Sequence, residues 1–202
     1  VENENYERFR VPGNQKFRAV DMAIEADWSQ AGFWYAAAFL DNAVEITGMA
    51  PASSQGDRVV AELYWKLAKP RDVDIDVSGC PDLVPPLAVM AAVRRGNTKI
   101  VNAARLRIKE SDRLTAVSTV LRAMGADITE LPDGLVIVGQ ETLKGGVTVD
   151  SFNDHRIAMM AAIAATRCSV PVTIQGAECV RKSYPGFWDD YKALGGRLEV
   201  RE

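Results

Sequence analysis

Three stretches of this chain are apolar almost all the way round a helix. Residues 29–40 carry Trp34-Tyr35-Ala36-Ala37-Ala38, residues 83–94 open Leu83-Val84-Pro85-Pro86-Leu87, and residues 156–166 carry Met159-Met160-Ala161-Ala162-Ile163. A helix with no polar face is enclosed by protein, so all three are expected at the centre of the fold. Pro85 and Pro86 fall in the first turn, where a missing N–H costs little. An aspartate precedes each helix (Asp27, Asp82 and Asp154), and aspartate is a residue type that caps a first turn. After each comes a short β-branched run, at 44–47, 98–101 and 172–174, then a polar loop and a second helix. The clearest second helix is amphipathic, with Leu114, Val117, Leu121 and Met124 at i, i+3, i+7 and i+10 and Gly125 as its stop. The register repeats: Asp57-Arg58 stands 30 positions after Asp27, Asp112-Arg113 30 after Asp82, and Pro185 31 after Asp154.

Further strands are expected at 73–77, at 127–131 and 135–138 around a three-residue Pro132-Asp133-Gly134 turn, at 147–149 and at 198–200. Buried helices inside and strands outside, in three copies, imply a pseudo-threefold α/β domain whose leading helices point their N-termini to one end. Residues 1–24, broken by Pro12-Gly13, read as a connector or the remnant of another domain, and 25–202 as the repeat domain.

Charge narrows the partners. With 24 basic and 27 acidic residues the net charge is −3, against the basic surplus that general nucleic-acid binding requires, so an anion site has to be local. The apolar runs fall short of the roughly 18 residues of a membrane span. Cys80, Cys168 and Cys179 are odd in number and lack metal spacing, as expected of reduced thiols in a cytoplasmic protein. His155 is the one histidine, which excludes a histidine-rich zinc site and leaves a Ser-His-Asp triad no other route; no metal is expected. The polar start Val1-Glu2-Asn3-Glu4-Asn5 has no signal or transit character, and the chain is expected to be part of something longer.

Two charged clusters then stand out, Lys109-Glu110-Ser111-Asp112-Arg113 before Leu114 and Asn153-Asp154-His155-Arg156 before Ile157. Arginine in a first helical turn opposes the helix dipole unless an anion restores the balance. Taken singly, Glu110 and Arg113 make an ordinary i,i+3 pair, Asp82 and Asp154 ordinary caps, and Lys182 an exposed loop lysine. The repeat brings all of them to one end, together with Arg105 and Arg107. An arginine fork grips a carboxylate or phosphate, and a neighbouring carboxylate such as Asp82 or Glu110 can then move protons on what is held. Phe187, Trp188 and Tyr191 suit the core face of the last helix, and no glycine-rich nucleotide loop is present.

Lys109-Glu110-Ser111-Asp112-Arg113-Leu114, Asn153-Asp154-His155-Arg156-Ile157-Ala158-Met159 and Lys182-Ser183-Tyr184-Pro185 resemble the C-terminal half of the 5-enolpyruvylshikimate-3-phosphate (EPSP) synthase family. Glu25-Ala26-Asp27-Trp28-Ser29 and Gln55-Gly56-Asp57 fit as well, and the resemblance runs from about Arg10 to the end. It implies one half of an inverse α/β barrel, a threefold βαβαββ domain with inner helices, that closes with an N-terminal domain over its ligands. The implied reaction moves the enolpyruvyl group of phosphoenolpyruvate to the 5-hydroxyl of shikimate 3-phosphate and releases phosphate, in the shikimate pathway of aromatic amino acid biosynthesis, without metal or cofactor. By the same resemblance Arg113 and Arg156 hold the phosphoenolpyruvate carboxylate, and Lys182 contacts phosphoenolpyruvate and joins the proton transfers. Asp82 takes the hydroxyl proton, Glu110 handles the proton at the methylene carbon, and Lys109 contacts shikimate 3-phosphate. Asp154 and His155 position the ligands, and Arg105 stands where some members carry a ligand-contacting Asn. The implied partner is the N-terminal domain, the full enzyme a monomer, and this half silent alone. A UDP-N-acetylglucosamine carboxyvinyltransferase, which shares the fold but not this motif combination, and a non-catalytic anion-binding or self-associating domain are the other readings.

Overall fold

The computed structural model describes residues 1–201. An exposed antiparallel hairpin comes first, β1 (Glu2–Glu4) with β2 (Arg8–Arg10), which the sequence pattern did not announce. The first inner helix, α1 (Trp28–Phe39), starts where the Asp27 carboxylate accepts from the amides of Ser29 at 2.8 Å and Gln30 at 3.3 Å. A 3-10 turn, Gly56–Val59, leads into α2 (Val60–Leu67), which buries Val60, Leu63 and Leu67. Strand β3 (Val73–Asp76) and the 3-10 turn Pro81–Leu83 precede α3 (Val84–Ala92), every residue of which is buried. After β4 (Asn97–Val101) and a 3-10 segment at Ala104–Ile108 comes α4 (Arg113–Ala123), capped by Asp112 on the Thr115 amide. Strands β5 (Asp127–Leu131), β6 (Gly134–Val138), β7 (Leu143–Gly145) and β8 (Thr148–Asp150) lead to α5 (His155–Ala165), buried from His155 through Ala164. Strands β9 (Cys168–Val170) and β10 (Thr173–Gln175), the 3-10 helix Ala177–Lys182 and α6 (Phe187–Ala193) complete the order.

Helices α1, α3 and α5 pack against one another at the centre, as their lack of a polar face requires. The outer layer is α2 on α1, α4 on α3 and α5, and a four-stranded sheet of order β3-β4-β6-β5, parallel between β3 and β4 and antiparallel elsewhere. Two parallel pairs, β7 with β9 and β8 with β10, form the shell beside α5. No helix among the described residues is long and apolar enough to cross a membrane.

Four details depart from the expected pattern. Residues 44–47 form no ladder: Val44 and Ile46 are half-buried between exposed neighbours, so the alternation is present but no strand lies beside it. Residues 198–200 are likewise unpaired, and the first repeat therefore has its two helices without a sheet. Leu131 pairs with Gly134, which shortens the expected three-residue turn to Pro132-Asp133. Asp82 caps no helix, because it lies inside the Pro81–Leu83 turn and no side chain caps α3.

Candidate active site

The N-terminal ends of α3, α4 and α5 converge on one guanidinium. Arg113, at the first position of α4, has a side chain only 1% exposed. Its Nε donates to Asp154 Oδ2 at 2.7 Å, its Nη1 to Asp82 Oδ1 at 2.7 Å, and its Nη2 to Glu110 Oε2 and, at 3.4 Å, to Asp154 Oδ1. Asp154 is fully buried, and it also accepts from the Arg156 amide at 2.9 Å, as the cap of α5, and from the Ser111 hydroxyl at 3.0 Å. Burying a carboxylate is costly unless its oxygens are hydrogen-bonded in this way. Asp82 is shared further: Lys109 Nζ lies 3.2 Å from Oδ1, Arg156 Nη2 3.5 Å from Oδ2, and Arg156 Nη1 donates to the Asp82 carbonyl at 3.4 Å. Lys182 closes the other side and donates from Nζ to the Asn153 carbonyl at 2.7 Å.

The anion that the helix dipoles call for is thus supplied from within: three carboxylates occupy the arginine that the sequence presented as a free anion seat. Arg113 is a buried hub, where its position at a helix start suggested a solvated pair. Asp82, Glu110, Lys109, Arg113, Arg156, Asp154 and His155 share this cluster, and Lys182 adjoins it through Asn153. Arg105 is exposed and, among the described residues, makes no ion pair or hydrogen bond. Its neighbour Arg107 is spent on structure, bonded to Asp112, Glu130 and the carbonyls of Leu131 and Pro132.

Burial pushes the Asp82 carboxyl up, but Arg156, Arg113 and Lys109 outweigh it and hold its pKa below the ordinary aspartate value. A ligand anion that drew off those cations would raise it again. His155 is 6% exposed and its Nδ1 has no hydrogen-bond partner. Burial first, then the Arg156 charge, lowers its pKa and keeps the ring neutral.

Residues with no role in the sequence reading also meet here. The Gln55 side chain accepts from the Trp28 amide at 2.8 Å and donates to the Ala26 carbonyl at 2.9 Å, and Asp57 accepts from Ser29 Oγ, so this loop fastens the start of α1. Burial raises the Asp57 pKa, and the Asp82 charge adds to that. A Cβ at Gly56 would meet the Gly79 carbonyl at 2.5 Å, which keeps a side chain out of this contact, one residue before Cys80 and three before Asp82. The Ser111 contact with Asp154 was invisible in the sequence, because nothing local marks which distant group the hydroxyl reaches.

Three mutually packed inner helices under an outer layer of strands are the fold of the enolpyruvyl transferases. NikO from Streptomyces tendae, an enolpyruvyl transferase, superposes with a TM-score of 0.64 at 16% identity over 89% of this chain and 45% of that one, a likeness of fold. The chain belongs to the EPSP synthase (3-phosphoshikimate 1-carboxyvinyltransferase) family, whose model matches residues 1–191 and so begins ahead of Arg10. It is 50% identical over 209 residues to the 3-phosphoshikimate 1-carboxyvinyltransferase of Clostridium acetobutylicum, covering 97% of this chain and 49% of that protein. It is 45% identical to the enzyme of that name from Clostridium kluyveri, covering 98% and 50%. EPSP synthase from Acinetobacter baumannii superposes with a TM-score of 0.77 at 28% identity, over 89% of this chain and 48% of that one. The chain therefore spans about half the length of the curated relatives it matches.

Proposed function

We propose that this chain forms the phosphoenolpyruvate-carboxylate wall of an EPSP synthase site, the opposite wall belonging to an N-terminal domain that closes upon it. The observation that carries the reading is Arg113, a buried guanidinium held by three carboxylates beside Arg156 and Lys109. An entering carboxylate exchanges with the Asp82 and Glu110 oxygens on the Nη atoms, while Asp154 keeps Nε and fixes the fork.

That exchange arms the acid and the base. Asp82, released from the cations that depress it, becomes basic enough to take the proton from the 5-hydroxyl of shikimate 3-phosphate as that oxygen attacks C2 of phosphoenolpyruvate. Glu110, released from Nη2, takes a proton from solvent and delivers it to the C3 methylene, which becomes a methyl group. Loss of phosphate from the tetrahedral adduct, protonated on leaving by Asp82, with one methyl proton returned to Glu110, restores the vinyl group. Lys182, whose ammonium keeps two donors free beyond the Asn153 carbonyl, faces the phosphoenolpyruvate oxyanions and shares in these transfers. Lys109 meets shikimate 3-phosphate, and the Asp154 carboxylate and the neutral His155 ring hold the frame. Arg105, exposed at the same end, meets ligand only on closure. Residues 25–202 are the domain, and the exposed segment 1–24 leads to its partner.

The test is to titrate phosphoenolpyruvate with shikimate 3-phosphate, or with UDP-N-acetylglucosamine, into the chain with and without the N-terminal half of a relative. Phosphate release that needs both halves and shikimate 3-phosphate is the expected result. Turnover by the chain alone, turnover with the UDP-sugar, or binding without turnover in the mixture each overturns it.

A further inference from the structure

We infer that Ser151 is a positioning residue that sets the place of the Lys182 ammonium, an inference that rests on the reading of Lys182 as a phosphoenolpyruvate contact. Lys182 is exposed, and its Nζ is fixed by one bond, to the Asn153 carbonyl at 2.7 Å. That carbonyl is presented by two consecutive left-handed residues, Phe152 at φ 54 and Asn153 at φ 53. Asparagine visits this region readily, whereas a bulky phenylalanine does so at a cost, so the turn persists only where its surroundings fix it.

Two side chains do the fixing. The Phe152 amide donates to Asp150 Oδ1 at 2.6 Å, and the Asn153 amide donates to Ser151 Oγ at 3.2 Å. The Ser151 hydroxyl in turn donates to the Gly176 carbonyl at 3.0 Å. Gly176 is the residue from which the 3-10 helix Ala177–Lys182 starts. It has φ 69, and a Cβ there would stand 2.6 Å from Ser151 Oγ, so glycine admits the hydroxyl on steric grounds as well. Ser151 is 1% exposed and anchored at both backbone ends, from its amide to the Gln175 carbonyl and from its carbonyl to the Asp154 amide, each at 3.0 Å. One buried hydroxyl therefore ties the turn that presents Asp154, His155 and Arg156 to the helix that ends in Lys182. With that tie cut, the backbone bond from Ser151 to Gln175 still joins the two segments, but the Asn153 carbonyl loses the side chain that sets its place against the lysine.

The test uses the 202-residue chain and needs no turnover. Reductive methylation of Lys182 by formaldehyde and borohydride is followed by peptide mass spectrometry, with exposed Lys192 as internal reference. Ser151→Ala is expected to speed Lys182 labelling about threefold to tenfold relative to Lys192, the worth of one hydrogen bond. Ser151→Thr, which keeps a hydroxyl, is expected to restore the slow rate. Gly176→Ala, which crowds the hydroxyl, is expected to act like Ser151→Ala. Ser151→Cys keeps the volume and weakens the bond, and covers the case in which the alanine variant does not fold. Unchanged Lys182 labelling in the folded variants, or a threonine variant that labels like alanine, overturns the inference. Turnover of the mixed halves is scored separately: labelling that shifts in a mixture that never turns over retains the Ser151 tie and rejects the enzyme reading.

Discussion

Replacing Asp154 by alanine removes the hub that orders the site, and its cost follows from what the carboxylate holds. The side chain is fully buried and serves four donors, Arg113 Nε at 2.7 Å and Nη2 at 3.4 Å, Ser111 Oγ at 3.0 Å and the Arg156 amide at 2.9 Å. Loss of the α5 cap costs about 1 kcal/mol. Leaving one edge of a buried guanidinium unpaired costs about 3 kcal/mol, the lower end of the range for broken buried pairs, because Asp82 and Glu110 stay on Nη1 and Nη2. The total, about 4 kcal/mol, corresponds to a fall in melting temperature of about 10 °C for a chain of this length. Asp154→Asn keeps the cap and loses the charge, and is expected to cost about 2 kcal/mol. Urea denaturation followed by circular dichroism measures both variants. An alanine variant within about 1 kcal/mol of the parent would show that Arg113 is not held through Asp154 and would refute the hub.

Other outcomes follow from the same geometry. Asp82→Asn removes a competing carboxylate from Arg113, so anion binding by the isolated chain is expected to tighten, while turnover in the assembled enzyme falls about 100-fold or more; calorimetry and a phosphate-release assay read the two effects. His155 is neutral in both states above pH 6.5, and below it the unfolded chain takes a proton that the folded ring resists, so stability declines as pH drops below 6.5. Urea midpoints at pH 7.5 and 5.5 should show that decline, smaller in His155→Asn. Gly134→Ala places a methyl group on the Ile100 carbonyl in the β4–β6 pair and is expected to cost about 3 kcal/mol, checked by the same denaturation.

The helices were legible because their evidence is local. The unbroken apolar surfaces of α1, α3 and α5 placed them inside, and Asp27 and Asp154 cap them as read. Asp82 misled because Pro81-Asp82-Leu83 folds as its own turn, which frees the carboxylate for an arginine 31 residues away. The strands at 44–47 and 198–200 failed for a related reason: alternation marks a face, but a ladder needs a partner that local sequence does not specify. Glu110, Arg113, Asp154 and Arg156 were found as a set through the repeat, which supplied the long-range information that single motifs lack. The burial of Arg113 escaped it, since a first-turn arginine normally faces water. The left-handed Phe152 was unreadable from composition, being a residue type that avoids that conformation.

The assignment of Arg113 and Arg156 to the carboxylate of phosphoenolpyruvate is tested most directly by Arg156→Ala in the assembled two-domain enzyme, with both substrates varied. Arg156 is the better choice because Arg113 also holds the fold together. The expected result is a fall of about 100-fold in kcat/KM for phosphoenolpyruvate, with the KM for shikimate 3-phosphate within a few-fold of the parent. Equal losses for both substrates, or an unchanged value for phosphoenolpyruvate, would contradict it.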